Sequence, residues 1–114
     1  MLDMAEVISE ARRLSALIDR GVEALRNSAE ELAAAENAYR HGKAQAWVTV
    51  QADDALAKHK EAHVDAMTTD LRMARDIAEG QRQAALEALR SRRTQLSALQ
   101  SVLAATKSEM EMGR

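Results

Sequence analysis

The stretch Met4–Ala46, MAEVISEARRLSALIDRGVEALRNSAEELAAAENAYRHGKAQA, decides the fold. Apolar or small residues recur in it at alternating spacings of three and four: Met4, Val7, Ala11, Leu14, Ile18, Gly21, Leu25, Ser28, Leu32, Ala35, Tyr39, Gly42 and Ala46. A seven-residue repeat held over six heptads belongs to a helix that buries one narrow seam against another helix, rather than to a helix wrapped in a globular core. The seam therefore predicts a helical partner. From Gly21 onward every second seam position is small (Gly21, Ser28, Ala35, Gly42), and the others carry Leu25, Leu32, Tyr39 and Ala46, so two backbones can approach closely.

Outside the seam, Glu6, Glu10, Arg13, Arg20, Glu23, Arg26, Glu30 and Glu31 keep the remaining faces solvated. Asp3 suits the cap of the first helix, and Glu6 suits the positive end of its dipole. Spaced pairs such as Glu10 with Arg13 and Glu23 with Arg26 add roughly a few tenths of a kcal/mol each and do not decide the fold.

The composition agrees with an all-α chain. Its 114 residues include no Pro and four Gly, so nothing breaks a long helix outright. Tyr39 and Trp47 are the only aromatics, which leaves Ala, Leu and Met to do the packing and makes association a natural source of stability. The absence of Cys excludes disulfides, thiol chemistry and cysteine-ligated zinc. No apolar run reaches the ~20 residues of a membrane span, and the start of the chain lacks the order of a signal peptide, so a cytoplasmic protein without membrane contact is expected. The net charge of −2 hides an asymmetry. Residues 1–36 carry four Arg against eight acids, whereas residues 71–107 carry six Arg and one Lys against three acids, so the two ends are complementary in sign.

These patterns predict one helical domain over 1–114, a long antiparallel helical hairpin that resembles a coiled coil and oligomerises. The first helix is expected over 3–47. The turn is placed at 47–51, where Val48, Thr49 and Val50 lower helix propensity, Thr49 offers an N-cap and Trp47 plugs the end of the hairpin. A second helical segment then runs over 50–110, with the seam Ala57, Lys60, Val64, Met67, Leu71, Ala74, Ala78, Arg82, Ala85, Leu89, Arg92, Leu96, Leu99, Leu103, Thr106 and Met110. At ~1.5 Å per residue the helices would reach roughly 65 and 90 Å. The second must therefore bend, at Thr68-Thr69 or Gly80, or project and meet another chain. Its Leu-rich end is expected to pack on the early part of the first helix. The candidate interaction seam is Leu14, Ile18, Gly21, Leu25, Leu32, Ala35, Tyr39 and Gly42 with Leu89, Leu96, Leu99 and Leu103.

Little in the chain points to chemistry. His59 and His63 stand four apart, as two metal-binding imidazoles on one helical face would, with His41 across the hairpin, but surface histidines are the simpler reading and no metal is expected. Adjacent acids such as Asp53-Asp54 and Glu30-Glu31 point about 100° apart on a helix and do not converge for acid-base work. No phosphate-cradling glycine loop or nucleophile elbow is present, so neither an enzyme nor a cofactor is expected. Arg82, Arg90 and Arg93 lie within one broad arc and are the candidate nucleic-acid contacts, although no aromatic interleaves with them and pairing with the acidic first helix is the favoured use.

Ala38-Tyr39-Arg40, Lys43-Ala44, Ala46-Trp47 and Thr49-Val50 precede Asp70-Leu71-Arg72-Met73-Ala74-Arg75-Asp76-Ile77-Ala78-Glu79-Gly80. Ala85-Leu86-Glu87-Ala88-Leu89-Arg90-Ser91 and Gln95-Leu96-Ser97-Ala98-Leu99-Gln100-Ser101 follow. Together, over roughly residues 38–107, they resemble small α-helical proteins of actinobacterial bacteriophages. That resemblance implies an accessory role in phage DNA metabolism or host takeover, inside the infected cell and with another phage or host protein as partner. It implies no catalytic residue. A second resemblance, to WXG-type secreted helical hairpins, rests on chain length and a Trp at the turn. Trp47-Val48-Thr49 departs from that motif by lacking its Gly, and no Tyr leads a C-terminal secretion signal.

Overall fold

The computed structural model describes residues 3–113. It is an all-α antiparallel helical hairpin whose second arm is broken once. Helix α1 spans Met4–Ala52, a short 3-10 turn covers Asp54–Leu56, and α2 (Lys60–Met67) and α3 (Thr69–Met112) complete the chain. The contacts divide it into a terminal unit, residues up to Leu25 with those from Ala84, and a central unit, Arg26–Gln83.

In the terminal unit the start of α1 packs on the end of α3. Val7, Leu14 and Leu89 are buried, and Met4, Ile18, Leu25, Leu96, Leu99 and Leu103 are half-buried. Leu14 and Leu99 share one cleft, and Met4 shares another with Leu103 and Met110. Gly21 faces Leu89, so closely that a Cβ placed on it would lie 3.2 Å from a Leu89 methyl. Numbers rise on one helix as they fall on the other, which is the antiparallel arrangement. The small seam residue is what allows the approach.

The central unit is built on Ala46, Val50 and Val64, with Trp47 and Leu56 packed against them. Further along, Gly42 lies under Leu71 and Tyr39 under Arg75. Here the structure corrects the expected turn. Helix α1 does not end at residue 47 but runs through the β-branched segment to Ala52. Those residues cost only roughly a few tenths of a kcal/mol each in helix propensity. Complete burial of Val50 against Val64 outweighs that. Thr49 is not an N-cap, because its hydroxyl donates to the Gln45 carbonyl one turn back (3.1 Å). Trp47 consequently stands inside the helix, half-buried on the Val50–Val64 cluster, and not at the turn.

The chain reverses over residues 53–59 instead. Asp53 leaves the helix in an extended conformation, and its Oδ1 accepts from the Ala55 amide at 3.0 Å. His59 then takes a left-handed backbone, φ 59° and ψ 43°, immediately before α2. The second segment therefore begins at Lys60 rather than at residue 50.

The second arm breaks at Thr68. The hydroxyls of Thr68 and Thr69 donate to the carbonyls of Val64 (2.8 Å) and Asp65 (2.9 Å), so two successive side chains compete for the carbonyls of the preceding turn. Gly80 lies inside α3 without a break. The expected unbroken second helix is thus replaced by α2 of 8 residues and α3 of 44.

Inward positions on the second arm follow one register: Val64, Thr68, Leu71, Arg75, Ala78, Ala85, Leu89, Arg92, Leu96, Leu99, Leu103 and Thr106 are buried or half-buried. Thr68 and Arg75 thus replace the expected Met67 and Ala74, and Ala57, Lys60, Arg82 and Met110 are exposed. Thr68 can be buried because its hydroxyl is satisfied locally. Arg75 can face inward because its guanidinium lies over the Tyr39 ring and donates to Asp76.

Candidate interaction surfaces

All thirteen seam positions of α1, from Met4 to Ala46, are buried or half-buried. Within the terminal unit they bring together Leu14, Ile18, Gly21 and Leu25 with Leu89, Leu96, Leu99 and Leu103. Within the central unit Leu32, Ala35, Tyr39 and Gly42 line the same stripe. This seam is spent on intrachain packing. Surfaces open to a partner are the faces beside it.

Large apolar side chains remain exposed on those faces. In the terminal unit they are Ile8 (39%), Val22 (37%), Val102 (44%), Met110 and Met112, and in the central unit Val48, Met67, Met73 and Ile77. Two grooves with apolar and polar walls flank the seam of the terminal unit. One, of about 490 Å³, has Ile8, Ala11, Ser15 and Ala16 on the α1 side and Leu96 and Leu103 on the α3 side, with Arg12 and Asp19 at its rim. The other, of about 300 Å³, lies between Leu14 and Glu10 on α1 and Ala98, Leu99 and Val102 on α3. A pair of helices buries one stripe of each, and the flanking positions stay in water unless a third helix covers them.

In the central unit, Tyr39 carries two cations: the Arg75 guanidinium sits 4.6 Å and the Lys43 ammonium 5.9 Å from the ring centroid. Asp76 fixes Arg75, its Oδ1 accepting from Nε at 3.2 Å and Nη2 at 2.9 Å, and this raises the guanidinium pKa further above its already high value. The sequence held no sign of this cluster, because Tyr39 and Arg75 come from different helices.

A second direct ion pair is equally local. Arg13 donates both Nε (2.9 Å) and Nη2 to the Glu10 carboxylate. That hydrogen bond, aided by the charge, lowers the Glu10 pKa from its ordinary value and raises that of Arg13. Arg82, Arg90 and Arg93 are exposed, Arg82 in the central unit and the other two in the terminal unit. Among the described residues no ion pair links any of the three to α1, so the expected charge pairing of the two arms is not made by direct contact at these arginines. Arg92 instead lies half-buried beside Gly21.

The histidines are dispersed. His41 is exposed on α1, His59 occupies the left-handed position before α2, and His63 is half-buried within α2. His59 therefore does not share a helical face with His63. Among the described residues no group of three or more His, Cys, Asp or Glu is placed to hold a metal ion, and no helix is long and apolar enough to cross a membrane. Comparison with protein-family models, curated proteins and solved structures found no match.

Proposed function

We propose that the chain is a non-enzymatic helical interaction protein that associates with itself and acts as an adaptor or regulator of another protein. The observation that supports this reading is the state of the terminal unit, whose single seam leaves Ile8, Val22 and Val102 partly in water, Ile8 and Val102 each lining an open groove. Such surface on a thin helix pair is covered by further helices in bundles. The resemblance of residues 38–107 to small phage proteins supplies the setting, phage DNA metabolism or host takeover in the cytoplasm of the infected cell. Sedimentation equilibrium over a wide concentration range tests self-association: a dimer or larger species is expected, and a strict monomer at the highest concentration overturns it. Co-purification from infected cells, repeated with a variant that no longer self-associates, then tests whether another protein is held.

A second reading, a nucleic-acid-binding accessory, is favoured by the exposure of Arg90 and Arg93 without an ion pair among the described residues. It requires a salt-dependent shift of single-stranded or duplex DNA that Arg90→Glu with Arg93→Glu abolishes. No shift at low salt removes it.

A further inference from the structure

One stripe of α1 in the terminal unit is complementary to itself when reversed. Beside the buried seam, Ile8, Arg12, Ser15, Asp19 and Val22 follow one another at spacings of four, three, four and three, and all five are exposed. The two ends of the stripe are its large apolar residues, Ile8 and Val22. The two intermediate positions carry opposite charges, and among the described residues neither Arg12 nor Asp19 has an ion-pair partner. The centre is small, Ser15 with Ala16 next to it. Four of the five, all except Val22, also edge the groove whose other wall is Leu96 and Leu103.

We propose that this stripe is the face by which two copies of the chain pair, α1 antiparallel to α1 about a two-fold axis at Ser15. A two-fold contact places each residue opposite its counterpart counted backward from the axis. Ile8 then meets Val22 of the second copy, and Arg12 comes within one residue of the partner's Asp19. Both contacts occur twice. Ser15 and Ala16 on the axis let the backbones close, as the small positions of the seam do inside the chain. The apolar ends supply the burial, and the two charge pairs set direction and register, since a parallel pairing in register would set Arg12 against Arg12 and Asp19 against Asp19. Each copy's stripe also closes the rim of the other's groove beside Leu96 and Leu103, so the dimer is a four-helix arrangement of two helix pairs, α1 and α3 from each copy.

The proposal rests on the self-association reading and adds the face. Its test is a charge-reversal cycle on the full chain, read by sedimentation equilibrium, with circular dichroism and thermal melting of each variant to establish that the helices are intact. Arg12→Asp alone and Asp19→Arg alone each set two like-charge pairs across the axis and are expected to weaken the dimer on the order of tenfold. Combining them restores opposite charges and is expected to return the dimer to near its original strength. Ile8→Ser with Val22→Ser is expected to abolish it. A dimer that ignores all of these changes, or that falls apart on Met73→Ser with Ile77→Ser instead, overturns the proposed face while leaving self-association standing. A wild-type chain that is monomeric overturns both. Equal loss in the two single variants and in their combination also overturns the face, because only pairing between Arg12 and Asp19 predicts rescue.

Discussion

At the scale of single residues, the glycines show how one residue type serves opposite purposes. Gly21 is buried with a Leu89 methyl where its Cβ would point, whereas a Cβ on Gly80 meets nothing within 4 Å. Gly21→Leu is therefore expected to force the helices of the terminal unit apart and destabilise the chain by about 1–3 kcal/mol. Gly80→Ala is expected to stabilise it by about 1 kcal/mol, through helix propensity alone. Urea denaturation of the two variants beside the wild type checks both signs, and stabilisation by the Gly21 substitution would refute the close contact. Glu10 offers a second test. Its carboxylate accepts a two-pronged hydrogen bond from Arg13 and is held below the ordinary Glu pKa. A depressed pKa means that the interaction contributes fully above the unfolded-state pKa and is lost as pH falls through the folded-state value. Titration by carboxyl-detected NMR is expected to show the low value in the wild type and its return to the ordinary range in Arg13→Gln. The pair is exposed, so the change in overall stability is expected to be small.

At the scale of elements, the seam of α1 was legible in the sequence because heptad spacing maps directly onto one face of a helix, from Met4 to Ala46. The turn was not. Val48-Thr49-Val50 reads as a helix breaker if propensity alone is weighed, and the deciding contact, Val50 on Val64, joins residues on two helices. Likewise the signal at Thr68-Thr69 was visible as a candidate bend, but the inward turn of Thr68 and Arg75 depends on a local hydrogen bond and on a ring supplied by α1. The reversal over residues 53–59 carries its own cost, since His59 holds a left-handed backbone that crowds the Cβ of any residue but glycine. His59→Gly is expected to stabilise the hairpin by about 1 kcal/mol, and His59→Val to destabilise it. Thermal melting of both variants decides the point. A loss of stability in the Gly variant would mean that the imidazole makes a contribution larger than the strain.

At the scale of the whole molecule, the buried seam and the proposed pairing face are different surfaces. Spacing of three and four identifies a helical stripe without saying whether it packs inside the chain or outside it, and α1 carries two such stripes at different phases. The thirteen-residue stripe is taken up within the hairpin, while Ile8 to Val22 stays exposed. The second is harder to see in the sequence because two of its five members are charged, and their value lies in a pairing that appears only when the helix is set against its own reverse. If folding and pairing are linked through that stripe, stability depends on concentration. A dimer that binds folded chains alone adds stability in proportion to the logarithm of the ratio of free protein to the dissociation constant. The melting temperature of the wild-type chain is therefore expected to rise steadily over a hundredfold increase in concentration. Arg12→Asp should flatten that slope and leave the low-concentration limit unchanged, because Arg12 has no described partner within its own chain. The combined Arg12→Asp and Asp19→Arg variant should recover the slope. Scanning calorimetry at matched concentrations measures all three. A slope that survives the single reversal, or a low-concentration limit that falls with it, would mean that Arg12 acts within the hairpin rather than between copies.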